Sequence, residues 1–395
     1  LRQGLPAASA AAFPEPPGAG AAAVAEALRR DPGVAAVFAV LPSPIALEAF
    51  CNDALAFCPT PSGVHPYPML DLAEEDPEAA AARFSALNLL RRVQTPRAIV
   101  ATCAQALLQP SPDPDRTEAL SQTIAVGESP GLEAFLGWLA DAGYVREREV
   151  YEPGRYAVKG GIVDVWPPAA RLPSRLEFAG DDVESLRDFN PLDQRSVRTR
   201  PSLKLAPAVI RGAATTMLHE AIPDHAAILW IGHEEIAFEA EAFAQNAGVP
   251  VDGRLDAIRR ALDGRTTLRQ IFVGDPAPPE CAFATPPFAP VNGLAAADAH
   301  RHDPDFMASQ RRKLMAECLR LHEDEKTSLH FCLDTDGILG HLRAELAAAP
   351  VDLRVAPLSG GFAITEADGR TDALFLAQSD LYGRAKRPGL RLAAH

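Results

Sequence analysis

Two kinds of hydrophobic pattern alternate along the chain. Continuous apolar runs at 34–41, 98–102, 226–231 and 268–273 have the length and composition of strands buried on both faces. They are interspersed with stretches of helical length and spacing at 21–30, 43–55, 74–93, 233–247 and 255–262, the third carrying acidic residues early and Arg91 and Arg92 late, as the helix dipole favours. Strands alternating with helices predict a parallel-sheet α/β domain, and the alternation is broken between about 113 and 206. There the period drops to two. Tyr156–Lys159 and Ile162–Val165 flank Gly160 and Gly161 and end at Pro167 and Pro168, which reads as strand, tight turn, strand, stop. Ser174–Phe178 alternates polar and apolar, Gly180–Asp182 supplies a turn, and Val183–Phe189 resumes the extended pattern. Before these strands Leu132, Phe135, Leu136 and Leu139 fall on one helical face, with Ser129 and Pro130 placed as cap and first residue and Gly143 as terminator.

The predicted class is therefore α/β and multidomain. Residues 1–112 form the first half of a parallel-sheet domain, 113–206 an inserted α+β antiparallel-sheet module, 207–310 the second half, and 311–395 a connecting helix and a small α/β domain. Residues 1–12 read as a frayed start, 57–69 as a Pro-rich loop, 110–115 as a linker and 276–290 as an irregular connection. A chain of 395 residues has room for several cores. It starts at Leu1 rather than Met, which suggests a piece of a longer product. The absence of a signal peptide and of an apolar run long enough to span a bilayer predicts a cytoplasmic protein with no membrane partner. The net charge of −14, with basic residues scattered, argues against a surface built on phosphate neutralisation and favours a protein partner. The six cysteines contain no C-x-x-C pair and read as buried thiols.

The run Lys159-Gly-Gly-Ile-Val-Asp-Val-Trp-Pro-Pro168, with Leu172–Phe178, Gly180–Arg187 and Phe189–Ser196, closely resembles the UvrB-homology module of bacterial transcription-repair coupling factors (Mfd), and UvrB carries a looser version. Arg83–Leu90, Ile99–Thr102, Ala106–Pro110 and Leu374–Gly383 extend the resemblance more faintly to the first and third domains of that family. It implies a degenerate helicase-like (RecA-like, UvrB-type) domain interrupted by a UvrA-docking module. In the family the polymerase-binding domain and the ATP-driven motor follow this region. RNA polymerase, DNA, ATP and magnesium would accordingly be met by parts of the parent protein absent here.

Candidate chemistry is sparse. The loop 13–20 precedes a helix where a phosphate loop belongs, yet no G-x-x-x-x-G-K-[ST] occurs and no lysine precedes Lys159. The pairs His219-Glu220 and His233-Glu234 lack the second histidine of a zinc motif, and His300 and His302 read as loop residues. Glu74-Glu75 and Asp181-Asp182 sit where backbone geometry favours acids. No catalytic or metal-binding residue is expected, and no cofactor. The resemblance places the docking anchors, two arginines and an aromatic residue in the family, on Lys159, Arg175 and Ala179. Only Arg175 is retained; Lys159 loses the planar fork and Ala179 the aromatic ring. Arg175 alternatively pairs with Glu177 or another acid on a solvated face. Gly160 and Gly161 are expected to permit a tight turn through positive φ, with Asp164 satisfying nearby backbone donors. Two other readings stay open: a UvrB-like ATP-dependent DNA-binding protein, and a diverged structural relative that no longer meets UvrA.

Overall fold

A computed structural model describes residues 10–13, 18–57, 63–70, 77–91, 98–168, 170, 172–208, 215–247, 254–263, 265, 268–273, 282–283, 288–291, 304–346, 351–365 and 370–382. They fall into two compact units, one formed by residues up to 65, by 98–105 and by residues after 222, the other by 66–91 and 106–222.

The first unit is built on a seven-stranded sheet in the order Ala282–Phe283, Ala10–Phe13, Arg269–Val273, Ala227–Ile231, Val37–Leu41, Ile99–Cys103, Val64–Tyr67. Its central strands pair in parallel. Val37–Leu41 and Ile99–Cys103 are buried at every position, as their unbroken apolar sequences require. Strands from before and after the module lie in one sheet, so the module interrupts a single domain. The helix Gly18–Arg30 buries Val24 and the small residues Ala19 to Ala23 and Ala25, and it packs against the neighbouring helix Pro44–Phe57. A five-stranded mixed sheet, in the order Phe288–Pro290, Phe362–Thr365, Thr371–Ala377, Ser328–Leu333, Asp352–Val355, belongs to the same unit. The two sheets of this unit are joined through the Pro44–Phe57 helix: the Phe57 ring lies 5.5 Å from Phe375, and the buried Asp53 carboxylate accepts the Ser359 N–H and hydroxyl, each at 2.7 Å.

Several expectations change here. Ala10–Phe13 is a strand inside the parallel sheet rather than a frayed end, because its backbone pairs with Arg269–Val273 on one side and Ala282–Phe283 on the other. Val64–Tyr67 is also a strand, although Pro66 within it and the prolines around it mark a loop in the sequence. Parts of 276–290 pair with other strands, and only tertiary partners two residues or three residues long hold them. Glu74, Glu75, His300 and His302 lie outside the described residues.

In the second unit a six-stranded sheet runs Ser196–Thr199, Asp182–Phe189, Ser174–Ala179, Ile162–Val165, Arg155–Lys159, Val145–Glu147. All neighbours are antiparallel except the last pair, which is parallel. One face packs on the helix Leu132–Asp141 through Phe135 and Leu139 against Tyr156, Val163, Val165, Leu176, Phe178 and Leu186. The predicted cap is displaced: Gly131 at φ 78° begins the helix, and the Ser129 hydroxyl donates instead to Asp182. The predicted terminator holds. Gly143 adopts φ 83°, its N–H reaches the Ala140 carbonyl and that of Tyr144 reaches Leu139, a Schellman closure. The expected linker at 110–115 is instead structured, since Pro110–Pro112 pairs with Thr215–Met217 and Pro114–Ala119 is helical. Beside it Arg83, 1% exposed, donates to the Pro68 carbonyl at 2.7 Å, the Pro110 carbonyl at 3.3 Å and the Gln109 side chain, and lies 4.5 Å above the Tyr67 ring.

Candidate functional site

The sheet face turned away from the Leu132–Asp141 helix carries its charges in rungs. Register sets Asp164, Arg175 and Arg187 side by side on three adjacent strands, and one pleat along it sets Ile162, Glu177 and Ser185 together. Two guanidiniums directly opposite repel each other unless anions stand among them. Asp164 and Glu177 supply those anions. Arg175 Nε and Nη2 donate to the two Asp164 oxygens at 2.6 and 2.8 Å, a bidentate fork. Nη2 also donates to Gln194 Oε1 at 2.8 Å, and the guanidinium lies 4.5 Å above the Phe189 ring. The bond to Asp164 raises the Arg175 pKa further. Glu177 accepts from Arg187 Nη2 and from the Ser185 hydroxyl, each at 2.6 Å. The Arg187 bond first, then that of Ser185, pulls the Glu177 carboxyl down to about 2.

Arg175 therefore does pair with an acid, but with Asp164 rather than Glu177, because alternation along one strand leaves its nearest opposite charge on the next strand. Asp164, 5% exposed, serves that guanidinium and not the backbone donors expected. Lys159, with 58% of its side chain exposed, donates to Glu149 at 3.1 Å, and Tyr151 hydrogen-bonds the same carboxylate. The Tyr151 bond, and then Lys159, hold the Glu149 carboxyl below its usual range. Lys159 lines an open hollow of about 750 Å³ together with Arg146, Arg148 and Tyr151. Ala179 lies exposed at the end of its strand and offers a methyl group alone. Lys159, Arg175 and Ala179 thus all belong to strands of one sheet. Glu149, Arg187, Phe189 and Gln194 complete the face and were invisible to spacing, because cross-strand partners depend on register.

The Gly-Gly turn divides its labour. Gly160 takes φ 63°, which the turn demands. Gly161 does not share the positive φ; a Cβ there would stand 2.5 Å from the Phe178 carbonyl oxygen, whose own N–H donates to the Gly161 carbonyl at 2.7 Å. Its glycine is required by close approach.

Residues 123–210 match the family model described as the UvrB interaction domain. The module is thus similar to UvrB interaction domains. Its helix, six-stranded sheet and charged face all lie within the matched range. The chain is 31% identical over 138 residues to the transcription-repair-coupling factor of Bacillus subtilis, a match covering 35% of this chain and 12% of that protein. It is 31% identical over 182 residues to the factor of the same name from Mycobacterium bovis, covering 44% and 14%. Against UvrABC system protein B of Thermosipho africanus the figures are 28% over 109 residues, covering 28% and 16%. The chain thus carries a UvrB-homology region similar to that of the coupling factors and matches less than a sixth of the length of these relatives.

Outside the module, the start of the Gly18–Arg30 helix is filled from within. A Cβ on Gly18 would lie 3.3 Å from Asp53 Oδ2 and 3.4 Å from Ser359 Oγ. A carboxylate thereby stands at the positive end of the helix dipole, where an anionic ligand would otherwise be favoured. Burial lifts the Asp53 carboxyl to about 6 against the lowering effect of its Ser359 bonds. Among the described residues no group of three or more His, Cys, Asp or Glu is arranged to hold a metal, and no helix is long and apolar enough to cross a membrane. Cys51, Cys103, Cys318 and Cys332 are buried; Cys58 and Cys281 lie outside the described residues.

Proposed function

We propose that this chain is the non-catalytic N-terminal part of a transcription-repair coupling factor and that its inserted module docks UvrA, recruiting it to stalled RNA polymerase in nucleotide excision repair. The observation that carries the reading is the match of residues 123–210 to a UvrB interaction domain, together with a charged lattice on that same module, half-buried at Arg175 and Arg187 and exposed at Lys159. Lys159, Arg175 and Ala179 are assigned to the docking face. RNA polymerase and DNA are assigned to other parts of the parent protein, which acts in the cytoplasm. No nucleotide is assigned to this chain: Asp53 against Gly18 supports that reading, since a second anion beside a buried carboxylate is strongly disfavoured.

Titration of the purified chain with UvrA tests the proposal, with ATP and duplex DNA as parallel ligands. UvrA binding without ATP or DNA binding is expected. Tight ATP binding accompanied by DNA binding would instead favour the UvrB-like reading, and binding of none of the three a purely structural relative. Lys159→Glu reverses an exposed charge and is expected to weaken UvrA by ~10-fold or more at low salt. Arg175→Ala is a poorer single probe because it strands the buried Asp164 charge, so it is combined with Asp164→Asn.

A further inference from the structure

Leu192 is 88% exposed, more than any other large apolar side chain among the described residues. A single surface leucine is ordinary. This one, however, stands on a turn braced along its whole length. The Leu192 N–H donates to Asn190 Oδ1 at 3.0 Å, the Gln194 N–H to the Asn190 carbonyl at 2.8 Å, the Asn190 N–H to the Arg195 carbonyl at 2.9 Å and the Arg195 N–H to Asp193 Oδ1 at 3.0 Å. Gln194 sits at φ 61°, a conformation that side chains other than glycine adopt at a cost. Its amide spans the gap between turn and sheet, donating to the Pro191 carbonyl at 3.0 Å while its oxygen accepts from Arg175 at 2.8 Å. The turn is therefore fastened to the same guanidinium that anchors the charged lattice.

We infer that Leu192 is an apolar anchor of the docking face, with Gln194 and Arg175 as its positioning residues. The inference rests on the reading of this module as the UvrA-docking unit. A leucine whose backbone is held in place before contact loses only side-chain freedom on binding, so more of the gain from burying it is kept. Arg195 next to it has no ion-pair partner among the described residues, and Nη1 of Arg175 has no hydrogen-bond partner among them. The surface that fits is a protein hollow with an apolar floor and a carboxylate rim, leucine below and guanidinium groups at the edge. Such an anchor also answers the loss at Ala179, where only a methyl group is presented.

The test is a double-mutant cycle in the whole chain against UvrA. Leu192→Ala is expected to weaken binding by ~10-fold or more with an unchanged melting temperature, since the side chain makes almost no contact in the free chain. Gln194→Asn keeps a residue tolerant of positive φ but is too short to reach both Pro191 and Arg175, and it is expected to weaken binding by a smaller factor. Because Gln194 acts through Leu192, its effect should vanish in the Leu192→Ala background. Additive losses would overturn the positioning role, and wild-type affinity in Leu192→Ala, with Lys159→Glu still weakening UvrA, would overturn the anchor while leaving the docking reading intact. A wild-type chain that binds no UvrA overturns both.

Discussion

At the scale of the residue, neighbouring positions with the same amino acid do different work. Gly160→Ala meets open space but must keep φ 63°, which costs ~1 kcal/mol. Gly161→Ala places a methyl group 2.5 Å from the Phe178 carbonyl oxygen, and the two strands must part to admit it. Its cost is expected to be on the order of 2–3 kcal/mol, larger than that of Gly160→Ala, and urea denaturation of the two variants ranks them. Arg83 belongs to a stretch that resembles the coupling factors, yet its place is structural. Its burial among the Pro68 and Pro110 carbonyls and Gln109 predicts that Arg83→Met destabilises the chain by ~2–4 kcal/mol, read by the same denaturation, because acceptors lose their donors inside the protein.

At the scale of the element, the helix Leu132–Asp141 is closed firmly at one end and loosely at the other. Gly143 carries the positive φ of a Schellman closure, so Gly143→Ala is expected to cost ~1 kcal/mol. Ser129→Ala, at the position the sequence marks as a cap, is expected to stay within ~0.5 kcal/mol, since that hydroxyl reaches an exposed turn carboxylate and no helical N–H. Melting curves of the two variants separate the true end from the apparent one. The strands of the charged face behave differently again: each was legible from its alternation, but the lattice of Asp164, Arg175, Glu177 and Arg187 exists only through register. A one-residue slip would turn all of these toward the core.

At the scale of the whole molecule, Asp53 ties the five-stranded sheet to the helix beside the parallel sheet, all within one compact unit. Its folded pKa of about 6 stands above the usual 3.8, so ionisation is penalised in the folded state. The penalty is full above about 6 and disappears as pH falls below the unfolded value, which makes this group's contribution more favourable on mild acidification. Asp53→Asn keeps both Ser359 partners, an oxygen for the N–H and an amide for the hydroxyl. It is expected to raise stability at pH 7 by up to ~3 kcal/mol and to flatten the difference between pH 5 and pH 7, measured by thermal melts of both proteins. The alternation of long strands and helices in the parallel sheet and the strands of the antiparallel one were legible in the sequence, because apolar periodicity is a local property that each segment carries by itself. So were the positive φ of Gly160 and the stretch 159–196 that resembles the UvrB-homology module, but not the close approach that requires Gly161. Ala10–Phe13, Val64–Tyr67 and the ribbon at 110–112 were not, since short strands rich in alanine or proline owe their form to the strands beside them. Tertiary structure alone decided that Asp164 faces Arg175, that Glu177 faces Arg187, that Leu192 stands clear on a braced turn and that Asp53 fills the head of a helix. Those are meetings between residues far apart in the chain, and no local pattern encodes the distance between them.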